Sequence, residues 1–243
     1  MIRLITLFLY MSGYLLYSIP KLLKMKKLSK EIPLAKRDEL LHRTPKYWSR
    51  MIMKITGSKV TVTGKHLIPE GPVLFIANHE GDFDVPVLLG FIEKPFGFVS
   101  KMEVKKVPVL SSWMEVMNCV FLDRKDRRQA IRSIRNGVNL LKQGHSMIIF
   151  PEGTRSKGGP VSAFKAGSFR LAKDAGVPIV PISIKGTSDV FEKNNRMVRP
   201  SAINITVGQP IPPETIQNIE LKELAELVRE IIIANRDDSK LAS

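Results

Sequence analysis

The sequence predicts an α/β fold: a mixed, largely parallel sheet flanked by helices, with an N-terminal membrane-associated helical segment. Three observations predict it. Seven short β-branched runs recur along the chain, helical patterns separate several of them, and an uncharged stretch followed by lysines opens the sequence. Strand and helix signals that alternate in this way build an α/β layer structure. The chain has 243 residues, 44% of them hydrophobic, which suffices for one core with an appendage and excludes disordered and collagen-like classes. The expected division is a helical region over 1–57 and an α/β domain over 58–243.

The N-terminal region carries the charge asymmetry. Residues 1–65 hold 14 Lys/Arg against 3 Asp/Glu, a net +11, out of +15 for the whole chain. A basic segment of this size binds polyanions, either nucleic acid or an anionic membrane. Residues 4–19 are uncharged, and as a helix would span about 24 Å against a hydrocarbon core of about 30 Å. That length buries in one leaflet rather than spanning. Tyr10, Tyr14 and Tyr17 suit the headgroup zone, and Lys21, Lys24, Lys26, Lys27 and Lys30 follow directly. A secretory signal would instead place its charge before the apolar stretch and small residues after it. A buried core helix would leave the adjoining lysines without a reason. The expectation is a monotopic protein on the cytoplasmic face of a membrane (the inner membrane in a bacterium), with anionic lipids as partners and no nucleic acid.

A second helix is expected over 45–56. Thr44 supplies an N-cap, Pro45 the first helical position, and Gly57 the stop. Trp48, Met51, Ile52 and Ile55 form its apolar face, which is expected to pack on the main domain, with membrane contact as the alternative. Strands are expected at 59–63, 73–77, 97–100, 119–122, 147–150, 179–184 and 203–207. Helices are expected at 84–92, 126–143, 166–175 and 219–234. Lys125, Arg127, Arg128, Arg132 and Arg135 give the start of the second of these a basic face, expected to be solvated, with an extended basic surface as the alternative.

Several chemistries lack their signatures. The single cysteine, Cys119, excludes an internal disulfide and a cysteine-built zinc site. There is no G-x-G-x-x-G, no G-x-S-x-G, no Walker lysine after Gly153–Gly159 and no H-E-x-x-H. No metal or cofactor is expected.

Three strand ends carry candidate chemistry. The first is Asn78-His79-Glu80-Gly81-Asp82-Phe83-Asp84. Pro86 must lie in the first turn of the following helix, which puts Asp84 near its start and His79 in the strand-to-helix turn. A chain folded back there brings the imidazole onto the Asp84 carboxylate, fixing one tautomer and freeing the other nitrogen as a base. The same spacing also fits a turn histidine with Asp84 as a cap. The second is Phe150-Pro151-Glu152-Gly153-Thr154-Arg155-Ser156, a rigid turn whose backbone N–H groups and guanidinium suit a phosphate. The third is Phe121-Leu122-Asp123-Arg124, a strand ending in an acid and a base.

Taken in chain order, 78–84, 121–124 and 150–156, and with the apolar run Val177-Pro178-Ile179-Val180-Pro181-Ile182 as a fourth block, these segments resemble the glycerolipid acyltransferase family, in particular its bacterial 1-acyl-sn-glycerol-3-phosphate acyltransferases. The Asn-His-x4-Asp block is matched by Asn78, His79 and Asp84. The resemblance covers residues 70–185. It departs from the family at Gly81, where serine is frequent, and at Asn118, where glycine is. It implies transfer of a fatty acyl group from acyl-CoA or acyl carrier protein to lysophosphatidic acid, with the donor a substrate rather than a cofactor. It implies His79 as general base oriented by Asp84. Arg155, with Glu152, Gly153, Thr154, Arg124 and Lys101, would hold the acceptor's phosphate. Glycerol 3-phosphate or another lysophospholipid is the alternative acceptor, and a basic membrane-bound adaptor is the alternative without catalysis.

Overall fold

The structure is a computed structural model that describes residues 1–123 and 125–238. Its helices are α1 (Ile2–Tyr17), α2 (Ile19–Lys26), α3 (Leu34–Thr56), α4 (Asp84–Phe91), α5 (Leu110–Val116), α6 (Arg127–Lys142), α7 (Arg170–Ala175), α8 (Pro213–Asn218) and α9 (Leu221–Asp238). Its strands are β1 (Lys59–Thr63), β2 (Leu74–Ala77), β3 (Gly97–Lys101), β4 (Val120–Leu122), β5 (Met147–Ile149), β6 (Ile179–Lys185) and β7 (Ala202–Val207). They form one sheet in the order β1-β7-β6-β2-β5-β3-β4. Every pairing is parallel except β6 with β7, so β1 and β7 run against the other five.

The central strands read as unbroken apolar runs because helices cover both faces of the sheet. The two-residue period sorts them. Val73, Phe75 and Ala77 join one core with Ile52, Met53 and Leu88, while Leu74 and Ile76 join another with Leu141, Leu171 and Val228. The N-terminal helices are part of the first core, since Leu7 of α1 and Ile52 and Met53 of α3 are buried in it. α3 lies along α4, and α1 lies along α3.

One expected boundary is wrong. α3 begins at Leu34, eleven residues before Pro45, and runs through the proline without ending. An interior proline removes one backbone bond and costs about 3 kcal/mol. The preceding segment is rich in strong helix formers, and Leu41, His42, Pro45, Ser49, Ile52, Met53 and Thr56 make one continuous buried face. Burial of that face outweighs the proline. The expected stop is where it should be: Gly57 takes the left-handed conformation, φ 74°.

The apolar N-terminal stretch is also broken. No single helix among the described residues is long and apolar enough to cross a membrane, and α1 and α2 meet at a 44° bend. Ser18 marks the bend, and its hydroxyl accepts from the Trp113 indole at 2.9 Å, tying the joint to α5. Leu7 and Leu22 turn inward, whereas Ile2, Ile5, Phe8, Leu9, Leu16 and Leu23 stand on the surface.

Candidate active site

The turn between β2 and α4 is held from four directions. Asn78 is buried, and its side-chain amide donates to Ile184 O at 2.9 Å and accepts from Ile184 N at 2.7 Å, so the turn is fixed to β6. His79 N donates to Glu152 Oε1 at 2.6 Å. His79 O and Glu80 O accept from Ser156 N and Lys157 N at 2.8 and 2.9 Å. The His79 ring stacks on Phe150 at 4.2 Å between centroids, 17° from parallel. The loops after β2 and β5 are thereby one unit.

Within that unit His79 Nδ1 donates to Asp84 Oδ2 at 2.7 Å. The same oxygen accepts from the backbone N–H groups of Glu80 and Gly81 at 2.6 and 3.0 Å, and Oδ1 accepts from the Thr187 hydroxyl. Asp84 has no exposed surface, while the His79 side chain is 21% exposed. A buried, fully bonded carboxylate fixes the imidazole's tautomer and stabilises the imidazolium once it forms. Nε2 has no hydrogen-bond partner among the described residues, and His79 lines a cavity of about 700 Å³. That is the placement a general base needs.

Arg155 and Lys101 line the same cavity, as do Gly153 and Thr154. The Arg155 guanidinium pairs with Asp82 and stands 3.9 Å from Glu192 Oε1. Lys101 is exposed at the end of β3. Glu152 is placed differently. It is buried, with one oxygen on His79 N and the other on Ser162 N at 2.9 Å. An inward carboxylate so bonded holds the loop in place and offers nothing to a phosphate. Arg124 lies outside the described residues.

An apolar part of the cavity wall comes from elements with no catalytic motif: Tyr14 and Leu15 of α1, Pro45 and Trp48 of α3, and Trp113 and Met117 around α5. Cys119 also lines it, but burial pushes its thiol up to about 12, so it stays protonated at neutral pH. Among the described residues no cluster of three His, Cys, Asp or Glu is arranged to hold a metal ion.

The sequence reading missed a network behind the pair. Buried Glu80 accepts from Thr187 N at 2.7 Å and from Arg236 Nη2 of α9 at 2.8 Å, and the Thr187 hydroxyl lies 3.0 Å from its carboxylate. Thr187 stands just past β6, and residues at that end of a parallel sheet build sites. Its position was the available signal. Arg236 lies far along the chain and gave none.

The two departures from the family pattern have local causes. Asn118 has φ 58°, a conformation glycine adopts freely and asparagine tolerates. At Gly81 an added Cβ would stand 2.8 Å from Glu192, so the space a serine would need is occupied by that carboxylate. Burial raises the Glu192 carboxyl above the usual carboxylate range, an effect that Asp84 and Glu80 reinforce and that its backbone hydrogen bond and Arg155 oppose.

Residues 59–185 match the family model described as Acyltransferase, more than half of the chain. The chain belongs to the acyltransferase family. Among its relatives is a probable 1-acyl-sn-glycerol-3-phosphate acyltransferase of Mycoplasma genitalium, 34% identical over 75% of this chain and 72% of that protein. The 1-acyl-sn-glycerol-3-phosphate acyltransferase of Borreliella burgdorferi is 28% identical over 77% and 75%. The crystal structure of the 1-acyl-sn-glycerophosphate (LPA) acyltransferase PlsC from Thermotoga maritima superposes with a TM-score of 0.83 at 29% identity, covering 98% of this chain and 97% of that one. The N-terminal helices of this acyltransferase, outside the matched residues, therefore have counterparts in that structure.

Proposed function

We propose that this acyltransferase moves a fatty acyl group from an acyl thioester, on coenzyme A or acyl carrier protein, to the sn-2 hydroxyl of lysophosphatidic acid, giving phosphatidic acid. One observation carries the reading. The His79–Asp84 pair opens onto a cavity that is cationic beside Arg155 and Lys101 and apolar along α1, α3 and α5. That polarity suits a phosphorylated single-chain lipid, with its phosphate on the cations and its chain against the helices.

The chemistry is a direct displacement. His79 Nε2 takes the proton of the acceptor hydroxyl as its oxygen attacks the thioester carbonyl. The new C–O bond forms, the C–S bond breaks, and the imidazolium returns the proton to the leaving thiolate. Asp84 stabilises the imidazolium in between. General-base help of this kind contributes roughly 10²- to 10⁴-fold, and alignment of the two substrates adds to it. The donor brings an activated acyl group, so no cofactor enters. Arg155 would exchange its Asp82 partner for the acceptor's phosphate, a better-matched anion for a planar guanidinium.

The enzyme works from the membrane surface. The exposed apolar side chains of α1 and α2 enter one leaflet, and Lys21, Lys24, Lys26 and Lys27 meet anionic headgroups. The inward side of α1 walls the cavity, so an acceptor in the leaflet lies next to the site.

The test is thioester consumption by purified protein with lysophosphatidic acid, glycerol 3-phosphate and other lysophospholipids as separate acceptors. Turnover with lysophosphatidic acid well above the rest supports the assignment. A faster reaction with another acceptor overturns it.

A further inference from the structure

On the far side of Phe150 and Gly153 lies a second cavity, of about 450 Å³. Val99, Ser100, Phe150 and Gly153 line both cavities, so the two meet at the ring on which His79 is stacked. Leu122, Ile131, Ile134 and Ile149 give the second one an apolar floor. Arg127, Arg135, Lys165 and Arg170 give it a cationic rim. Its one acid, Asp174, lies 3.5 Å from Arg170. No carboxylate among the described residues pairs with Arg127, Arg135 or Lys165.

The sequence builds this rim on one helix face. α6 carries five cations and no acid between Arg127 and Lys142. Ser133, Gly137, Val138 and Leu141 pack inward, which leaves Arg127, Ile131 and Arg135, at spacings of four, on the cavity side. The two cavities also differ in what surrounds them. The catalytic cavity is walled by α1 and α3, whereas no residue before Val99 lines the second one. It stands apart from the membrane-facing helices. An apolar floor and a rim on which three of four cations have no carboxylate partner among the described residues, apart from α1 and α3, match a soluble donor with phosphates on a long, uncharged arm.

We infer that the second cavity takes the acyl donor's 4′-phosphopantetheine arm, the group that coenzyme A and acyl carrier protein share. The donor's phosphates meet Arg127, Arg135, Lys165 and Arg170, the arm lies along Ile131 and Ile134, and the thioester reaches His79 past Phe150. This rests on the proposed acyl transfer and adds to it a separate door for each substrate: the acceptor from the leaflet beside α1, the donor from water beside α6.

The experiment uses the full-length protein in detergent and the double variant Arg127→Glu/Arg135→Glu. Both arginines are exposed and unpaired, so the fold should be retained, which an unchanged melting temperature checks. The KM for palmitoyl-CoA and for palmitoyl-carrier protein should each rise at least tenfold, while the KM for lysophosphatidic acid moves less than twofold. Free 4′-phosphopantetheine should inhibit the wild type competitively against either donor and lose at least tenfold in potency in the variant. Turnover with one donor alone identifies which source the cavity serves. Ala130→Trp, which fills the floor without touching a charge, should show the same donor-selective effect. A rise in the acceptor's KM instead, or unchanged inhibition by phosphopantetheine, overturns the assignment. Direct binding of coenzyme A and 4′-phosphopantetheine keeps the two readings apart. If the wild type moves no acyl group to lysophosphatidic acid yet binds either probe, and the variant binds it at least tenfold more weakly, the acceptor is wrong and the cavity stands.

Discussion

This acyltransferase contains two histidine–aspartate pairs of nearly the same length in contrasting surroundings. His79 and Asp84 are five residues apart and 2.7 Å from each other; His145 and Asp38 are 107 residues apart and 2.6 Å from each other. In both, Nδ1 meets a carboxylate oxygen. Asp84 is wholly buried and receives four hydrogen bonds, and its histidine lines the cavity of about 700 Å³. His145 is itself buried and lines neither cavity, and one Asp38 oxygen has no partner. The second pair joins α3 to the loop before β5, next to His42, whose Nδ1 donates to Asp38 O at 2.8 Å. A His–Asp bond alone therefore does not mark a site. What separates the two pairs is whether the imidazole faces a space that a substrate can enter.

Breaking each pair in turn gives the largest contrast. His79→Ala should lower kcat by roughly 10²- to 10⁴-fold with little change in melting temperature, and Asp84→Asn should also lose orders of magnitude in a folded protein. More than about a tenth of wild-type turnover in His79→Ala would rule out the general base, since that loss is under about 1.4 kcal/mol of barrier. His145→Ala should do the reverse. It strands the buried Asp38 carboxylate and should cost about 3 kcal/mol of stability in denaturant titration, with kcat retained where the protein is folded. Loss of turnover without loss of stability would place this pair in the chemistry.

Smaller effects sharpen the comparison. Arg155→Ala, which leaves the catalytic pair intact, should raise the KM for lysophosphatidic acid by roughly 30-fold, about 2 kcal/mol for one charge-assisted contact, and leave the donor's KM unchanged. Equal effects on both substrates would make the loop structural. The smallest effect is on pH dependence around the second pair. Burial, the largest cause, holds His42 below its usual range near 6.5. The unfolded chain then binds a proton that the folded chain refuses, so stability present above about pH 6.5 is lost as the pH falls from there toward the folded value. His42→Gln should flatten that part of the stability profile measured between pH 7 and 5. An unchanged slope would assign the acid sensitivity to another group.

The sequence alone determined the class of fold and its chemistry. All seven strands lie where β-branched runs mark them, because strands covered on both faces have no polar positions to blur the signal. The meeting of His79 with Asp84 was one of two arrangements that the local spacing allowed and the one the resemblance implied, because a turn at a strand end draws on spacing that a linear chain displays. What only the tertiary structure decided involves distant partners. It carried α3 through Pro45, because the packing of a whole helix face outweighs one lost bond. It turned Glu152 inward onto His79 N, seventy-three residues away, and brought Thr187 and Arg236 against Glu80. It made α1 a wall of the catalytic cavity as well as an apolar surface, and it gathered Arg127 and Arg135 with Lys165 and Arg170 around a second one. Local spacing records turns and periods. Which distant side chains share a space depends on how the layers close over one another, and no stretch of the chain records that by itself.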